Sequence, residues 1–318
     1  RDKSQHRKFK SQCIIGIPLM RRATPPYTTI LQNLHDVYSL TGQSISHIVT
    51  CRSDGCFRFA EEFDRPGAHG YREGLGTLTM SGYHYLDYIA ACLMSAPLKG
   101  NLLEANMVTQ TIVGNVRKSS QDVPFSKFLN RKNITVEDPF KGDNAELDFS
   151  VNFSIREPKA ILPECEIYFS FIQRGCTRRV TPSYSLQTTH DEGFTNDCVM
   201  VIHQGPLQSF QWLVAQDSSN NGRISIARRL NPVLAKKLGV PALSIVDYNL
   251  ESNANIKKNQ AIINGLLDKF SGKTKKGPYD HLDAKYQDLT MELFAATIGA
   301  SVGNYSTRFS SNLWTTVR

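Results

Sequence analysis

The chain of 318 residues is 40% hydrophobic and 21% charged, the balance of a globular protein long enough for one large domain or two smaller ones. Its formal charge is +8, but the basic residues are scattered in pairs such as Arg178-Arg179, Arg228-Arg229 and Lys257-Lys258. With no long basic helix, zinc finger or RNA-recognition motif, a solvated basic surface is expected and a nucleic-acid partner is not.

No apolar run reaches the ~18 residues of a membrane span, and no apolar core follows the basic residues 1–10. Neither a membrane anchor nor a secretion signal is therefore expected. The seven cysteines (Cys13, Cys51, Cys56, Cys92, Cys165, Cys176, Cys198) are odd in number and form no CxxC pair. A disulfide framework and a zinc site are both disfavoured; reduced thiols, a cytoplasmic location and no metal are the expectation. The chain lacks an initiator Met and reads as a fragment.

Taken in order, residues 12–20 form a short apolar run, a buried strand. Thr24 and Pro25 predict an N-cap and first helical residue. The helix they open carries Ile30, Leu31, Leu34, Val37 and Tyr38 on one face and stops near Gly42. Residues 44–50 alternate as a strand. Residues 52–76 are rich in loop signals and aromatic residues, the kind of passage that covers a site.

The stretch 73–94 is the most informative. Gly74 and Gly76 make a turn that lets backbone approach something closely. After Gly82 a helix is predicted, with Leu86, Ile89, Ala90, Leu93 and Met94 at helical spacing and His84 and Asp87 in its first turn. There the positive end of the helix dipole would favour a neutral imidazole, able to exchange a proton with a substrate hydroxyl. A partly buried, hydrogen-bonded histidine is the plain alternative.

Further on, residues 107–113 read as a strand and 114–144 as an irregular insertion. Residues 145–155 alternate strictly, with Leu147, Phe149, Val151, Phe153 and Ile155 on one face. Strands at 165–172, 197–203, 208–214 and a short one at 223–228 follow, the middle two hinged by Gly205-Pro206. Residues 256–270 and 282–298 read as helices. Strands in runs with helices before and after predict an α+β fold: a large, mostly antiparallel open sheet with helices on one face. No GxGxxG, Walker loop, GxSxG or HExxH is present.

This order of features resembles the C-terminal part of the glucose-fructose oxidoreductase, inositol dehydrogenase and MocA family of NAD(P)-dependent oxidoreductases. The resemblance rests on Met20-Arg-Arg-Ala-Thr-Pro-Pro-Tyr27, on Leu40-Thr-Gly-Gln-Ser-Ile45 and above all on Gly82-Tyr-His-Tyr-Leu-Asp87. It implies that residues 1–22 end a nucleotide-binding domain and that 23–318 form a substrate-binding and oligomerisation domain. His84 falls on the family's catalytic histidine and Arg22 where members approach substrate.

The resemblance further implies NAD or NADP in the full-length protein, none bound by this fragment, a sugar-like substrate, and a homodimer or homotetramer through the sheet. The family's hydride transfer needs a base on the hydroxyl, here His84. Asp87, Tyr83, Tyr85 and Tyr71 are candidate substrate contacts; the alternative is a first-turn carboxylate facing the helix dipole for Asp87 and core or rim packing for the tyrosines. The sequence departs from the family at Met80, where an Asp is usual and which cannot orient an imidazole. Asp87, Glu73 or Asp64 would have to substitute, or the chemistry is altered, leaving a non-catalytic carbohydrate-binding or assembly module as the second reading.

Overall fold

Alternating apolar residues along a chain bury one face of a strand, and among the described residues nine strands assemble into one sheet. The structure, a computed structural model, describes residues 26–53, 74–112, 144–172, 194–217, 222–250, 287–309 and 314. Residues 1–20, Arg22, Thr24, Pro25, Asp64, Tyr71, Glu73 and 256–270, for which the sequence carries expectations, lie outside the described residues, as does the boundary between 22 and 23.

The elements are α1 (Tyr27–Thr41), β1 (His47–Ser53), a π-helical turn (Leu78–Gly82), α2 (Tyr83–Ser95), β2 (Leu102–Ile112), β3 (Glu146–Arg156), β4 (Cys165–Ile172), β5 (Phe194–Gln204), β6 (Gln208–Asp217), β7 (Gly222–Leu230), α3 (Pro232–Leu238), β8 (Leu243–Leu250), α4 (Gln287–Val302) and β9 (Tyr305–Arg308). The sheet order is β8-β7-β6-β5-β1-β4-β3-β2-β9. Only the β1–β4 pair is parallel; the other seven neighbouring pairs are antiparallel. The expected α+β architecture is therefore observed.

The core lies between one face of the sheet and helices α1, α2 and α4. Ile48, Phe149, Val151, Phe153, Ile155, Ile167, Phe169, Phe171, Met200, Ile202, Phe210 and Trp212 share a cluster with Leu34, Leu86, Ile89, Leu93, Leu289 and Leu293. Helix α2 is its centre: every residue from Tyr85 to Ser95 is buried. Aromatic rings set the spacing. Tyr27 meets Trp212 edge-on at 4.7 Å and Tyr88 at 5.2 Å, while Phe149 meets Phe169 at 5.4 Å.

Several boundaries differ from those the sequence predicts. Helix α1 starts at Tyr27 with Pro26 at its N-cap and no side-chain cap, and ends as expected at Gly42, which takes the left-handed conformation (φ 71°). The strand expected at 44–50 runs from His47 to Ser53. Ser44 is diverted because its hydroxyl donates to the Pro97 carbonyl (2.6 Å), and Arg52, expected in a loop, is in the strand. Strand β2 begins at Leu102, well before 107, and pairs along its length with β3. Helix α3 and strands β8 and β9 were not predicted.

A polar network anchors α1 to the sheet. The Gln204 side chain donates from Nε2 to the carbonyls of Leu34 (3.1 Å) and Gln43 (2.7 Å). Gln208 Nε2 donates to Asn33 O (3.0 Å), and Arg228 Nε donates to Gln208 Oε1 (3.0 Å). Gln204 is fully buried, so Gln204→Ala removes two hydrogen bonds that tie α1 and the residue after its cap to the sheet, and should cost about 1–3 kcal/mol. Urea denaturation measures it; a change within error of zero would mean that water replaces the amide freely.

Candidate functional site

The glycine turn approaches the chain itself. Gly74 has φ 81°, and a Cβ on Gly76 would overlap the Glu146 carboxyl and carbonyl at the start of β3. Just beyond, the Thr77 hydroxyl donates to Leu147 O (3.2 Å), and the Leu78 N–H donates to Glu146 Oε1 (2.8 Å). A carboxylate from a distant strand thus satisfies one of the orphan donors at the start of this helical segment.

That segment corrects the expected position of His84. Backbone helicity begins at Thr77, passes through the π-turn and continues without a break through Gly82 (φ −60°, ψ −38°) into α2. The Tyr83 N–H is already bonded to Leu78 O and Ser81 O. His84 is therefore about two turns inside the segment, and the dipole effect, confined to the first turn, does not reach it. Its ring is half-buried and lies against Tyr83 at 3.9 Å between centroids.

Asp87 is 1% exposed and accepts hydrogen bonds from Thr290 Oγ1 (3.0 Å) and Gln287 Nε2 (3.2 Å), both on α4. These bonds give it the role of fastening two helices, in place of the substrate contact expected. Tyr85, also a candidate for stacking on substrate, is instead 2% exposed against Phe169 and Phe171. Tyr83 stays half-exposed beside His84. Arg22, Tyr71, Glu73 and Asp64 lie outside the described residues.

Two charged residues absent from the sequence reading stand near this segment. Arg52, 3% exposed, places its guanidinium 4.9 Å from the centroid of the Tyr85 ring. Its signal was available: Arg52 holds the same parity as buried Ile48 and Thr50, so a charge falls on the core face. Glu146 is the other. Burial pushes its carboxyl above the ordinary value of 4.5, and hydrogen bonds from its own and the Leu78 N–H only partly oppose that.

The glycine turn does not present an open phosphate site: it is filled by Glu146, whose carboxylate already accepts from the adjoining helix start. Among the described residues no group of three His, Cys, Asp or Glu side chains could hold a metal ion. No helix among them is long and apolar enough to cross a membrane.

No protein-family model and no curated protein sequence matches the chain. Solved structures match its fold. The transcriptional regulator Gal80p from Kluyveromyces lactis superposes with a TM-score of 0.50 at 13% identity, over 95% of this chain and 65% of that one. Levoglucosan dehydrogenase in complex with NADH and levoglucosan gives 0.49 at 10% identity, over 96% and 69%. An inositol dehydrogenase homolog complexed with NAD+ from Azotobacter vinelandii gives 0.48 at 10% identity, over 96% and 68%. The likeness is one of fold. The chain spans about two thirds of the length of the Gal80p structure.

Glu146 yields a pH prediction. A carboxyl raised above its unfolded value contributes stability that is full below the unfolded value and is lost as pH rises through the folded one. Gln keeps an acceptor for the Leu78 N–H without the charge. Denaturation midpoints of Glu146→Gln and wild type should therefore coincide below pH 4.5 and separate toward neutrality, with the Gln variant the more stable. A separation that does not change with pH would refute the assignment.

Proposed function

We propose that the chain is the substrate-binding and oligomerisation domain of an NAD(P)-dependent oxidoreductase acting on a sugar or polyol hydroxyl. The observation that carries this reading is where α2 leaves the core. From Tyr85 to Ser95 the helix is buried, whereas Tyr83 and His84 are half-exposed. An imidazole held there against an aromatic ring can reach a hydroxyl and accept its proton. The Gly82–Asp87 motif supports the same role for His84. The dinucleotide would be held by chain other than the residues described here.

Titration of the complete gene product with NAD(H) and NADP(H) tests the reading, and failure to bind either would end it. Where dinucleotide binds, His84→Ala should lower turnover about 10²–10⁴-fold with the fold intact. Full turnover in that variant would remove His84 as the base.

A second reading is a non-catalytic carbohydrate-binding or assembly module on the same scaffold. It is favoured by Met80 in place of a carboxylate and by Asp87 being committed to Thr290 and Gln287. The fold match to a transcriptional regulator, Gal80p, also supports it. Dinucleotide or sugar binding without turnover would select it.

Either reading includes self-association through the outer face of the sheet. Three cross-strand pairs there are apolar: Val49 opposes Val201, Cys51 opposes Val199, and Val199 opposes Leu213. Val49, Val199 and Leu213 are 43%, 43% and 47% exposed. Such a contiguous patch marks an interface. Leu213→Asp should reduce the mass measured by light scattering, and an unchanged assembly would exclude this face.

A further inference from the structure

Tyr83 and His84 are consecutive residues of α2, and consecutive helical residues point about 100° apart. Side chains at such positions do not ordinarily face each other. Here they do. The ring centroids are 3.9 Å apart with 34° between the planes, a face contact in place of two diverging side chains. Both rings are half-buried, at the point where α2 leaves the core. The π-turn Leu78–Gly82 runs directly into the pair, and the Tyr83 N–H bonds back across it to Leu78 O. Such turns concentrate at functional sites.

The neighbouring helical positions put no carboxylate in the place of this ring. The residue four before His84 is Met80, and the residue four after it is Tyr88. Asp87, three after it, is buried and accepts from Thr290 and Gln287 on α4. The group that the structure shows against the imidazole is the Tyr83 ring.

We propose that Tyr83 is the positioning residue for His84: its ring, not its hydroxyl, orients the imidazole and stabilises the imidazolium formed when His84 accepts a proton. This role rests on the reading of His84 as the base. The face of a tyrosine ring is the negative part of its quadrupole and attracts a cation more strongly than a neutral group. The imidazole is neutral before proton transfer and positive after it. The contact is therefore stronger in the transition state than with substrate merely bound, which raises kcat and leaves KM unchanged. The proton passes from the substrate hydroxyl to the imidazole, and Tyr83 exchanges none.

A substrate contact at Tyr83, the role expected from the sequence, would behave differently. In the complete gene product Tyr83→Leu should lower kcat about fivefold with KM unchanged. Tyr83→Phe keeps the ring and should retain the wild-type kcat. A raised KM in Tyr83→Leu, or a loss in Tyr83→Phe as large as that in Tyr83→Leu, overturns the proposal. The ring contact has its own readout in nuclear magnetic resonance. The His84 ring-proton resonances, identified by their absence in His84→Ala, should be displaced upfield by the Tyr83 ring current in wild type and Tyr83→Phe. In Tyr83→Leu, with the circular dichroism spectrum unchanged, they should move to the positions of a free histidine. Resonances that do not move in Tyr83→Leu also overturn the proposal. Absence of dinucleotide binding would remove the base and with it this role, and the resonances distinguish that outcome from a failure of the ring contact.

Discussion

A helix buried on every side can carry a carboxylate only if the surrounding elements supply donors to it. Helix α2 is such a helix, and Asp87 is its carboxylate. Thr290 and Gln287 supply the donors, so the position of α4 against α2 is set by polar satisfaction as well as by apolar contact. The Tyr88 hydroxyl likewise donates to Tyr27 O on α1 (3.3 Å), while the Ser95 hydroxyl donates within α2 to Ala91 O (2.7 Å). Helices α1 and α4 thus have defined places on either side of α2, and the sheet closes the remaining face.

The same constraint shapes the start of the helical segment. Its first donors lie beside the first residue of β3, and Glu146 meets one of them at the expense of its own ionisation. Gly76 is needed because a side chain there would occupy the space of that carboxyl. The π-turn then carries the backbone into α2 without a new helix start. What emerges from this packed arrangement is the half-exposed pair Tyr83 and His84, and the chemistry proposed for the chain resides there.

On the sheet, alternation divides the labour between two faces. The core face carries large aromatic residues, with Arg52 the buried charge against Tyr85. The outer face mixes apolar residues such as Val49, Val199 and Leu213 with polar ones such as Asn152, Ser170 and Gln211.

Periodicity made most of the sheet legible. The alternation at Leu147, Phe149, Val151, Phe153 and Ile155 and the apolar run at 165–172 placed β3 and β4, because both strands have strongly contrasting faces. The signals for α3 were also present: Asn231 caps the Val233 N–H (3.0 Å), Pro232 follows, and Gly239 (φ 68°) closes the helix. Strand β8 escaped notice because an edge strand with apolar residues on both faces has no clean alternation. The start of β2 was masked by Ala105 and Asn106, which dilute its pattern.

The sequence by itself determined the fold class, the central helix and the motif that marks His84. Those properties depend on local periodicity and on neighbouring residues. Only the tertiary structure decided that Asp87 fastens helices, that Tyr85 belongs to the core and that Glu146 fills the glycine turn. Each of these depends on a partner far along the chain: Thr290, Phe169 and Gly76 respectively. No local pattern encodes such a distance. The role of a polar residue depends on which donors the fold brings to it, and the fold brought them from elsewhere.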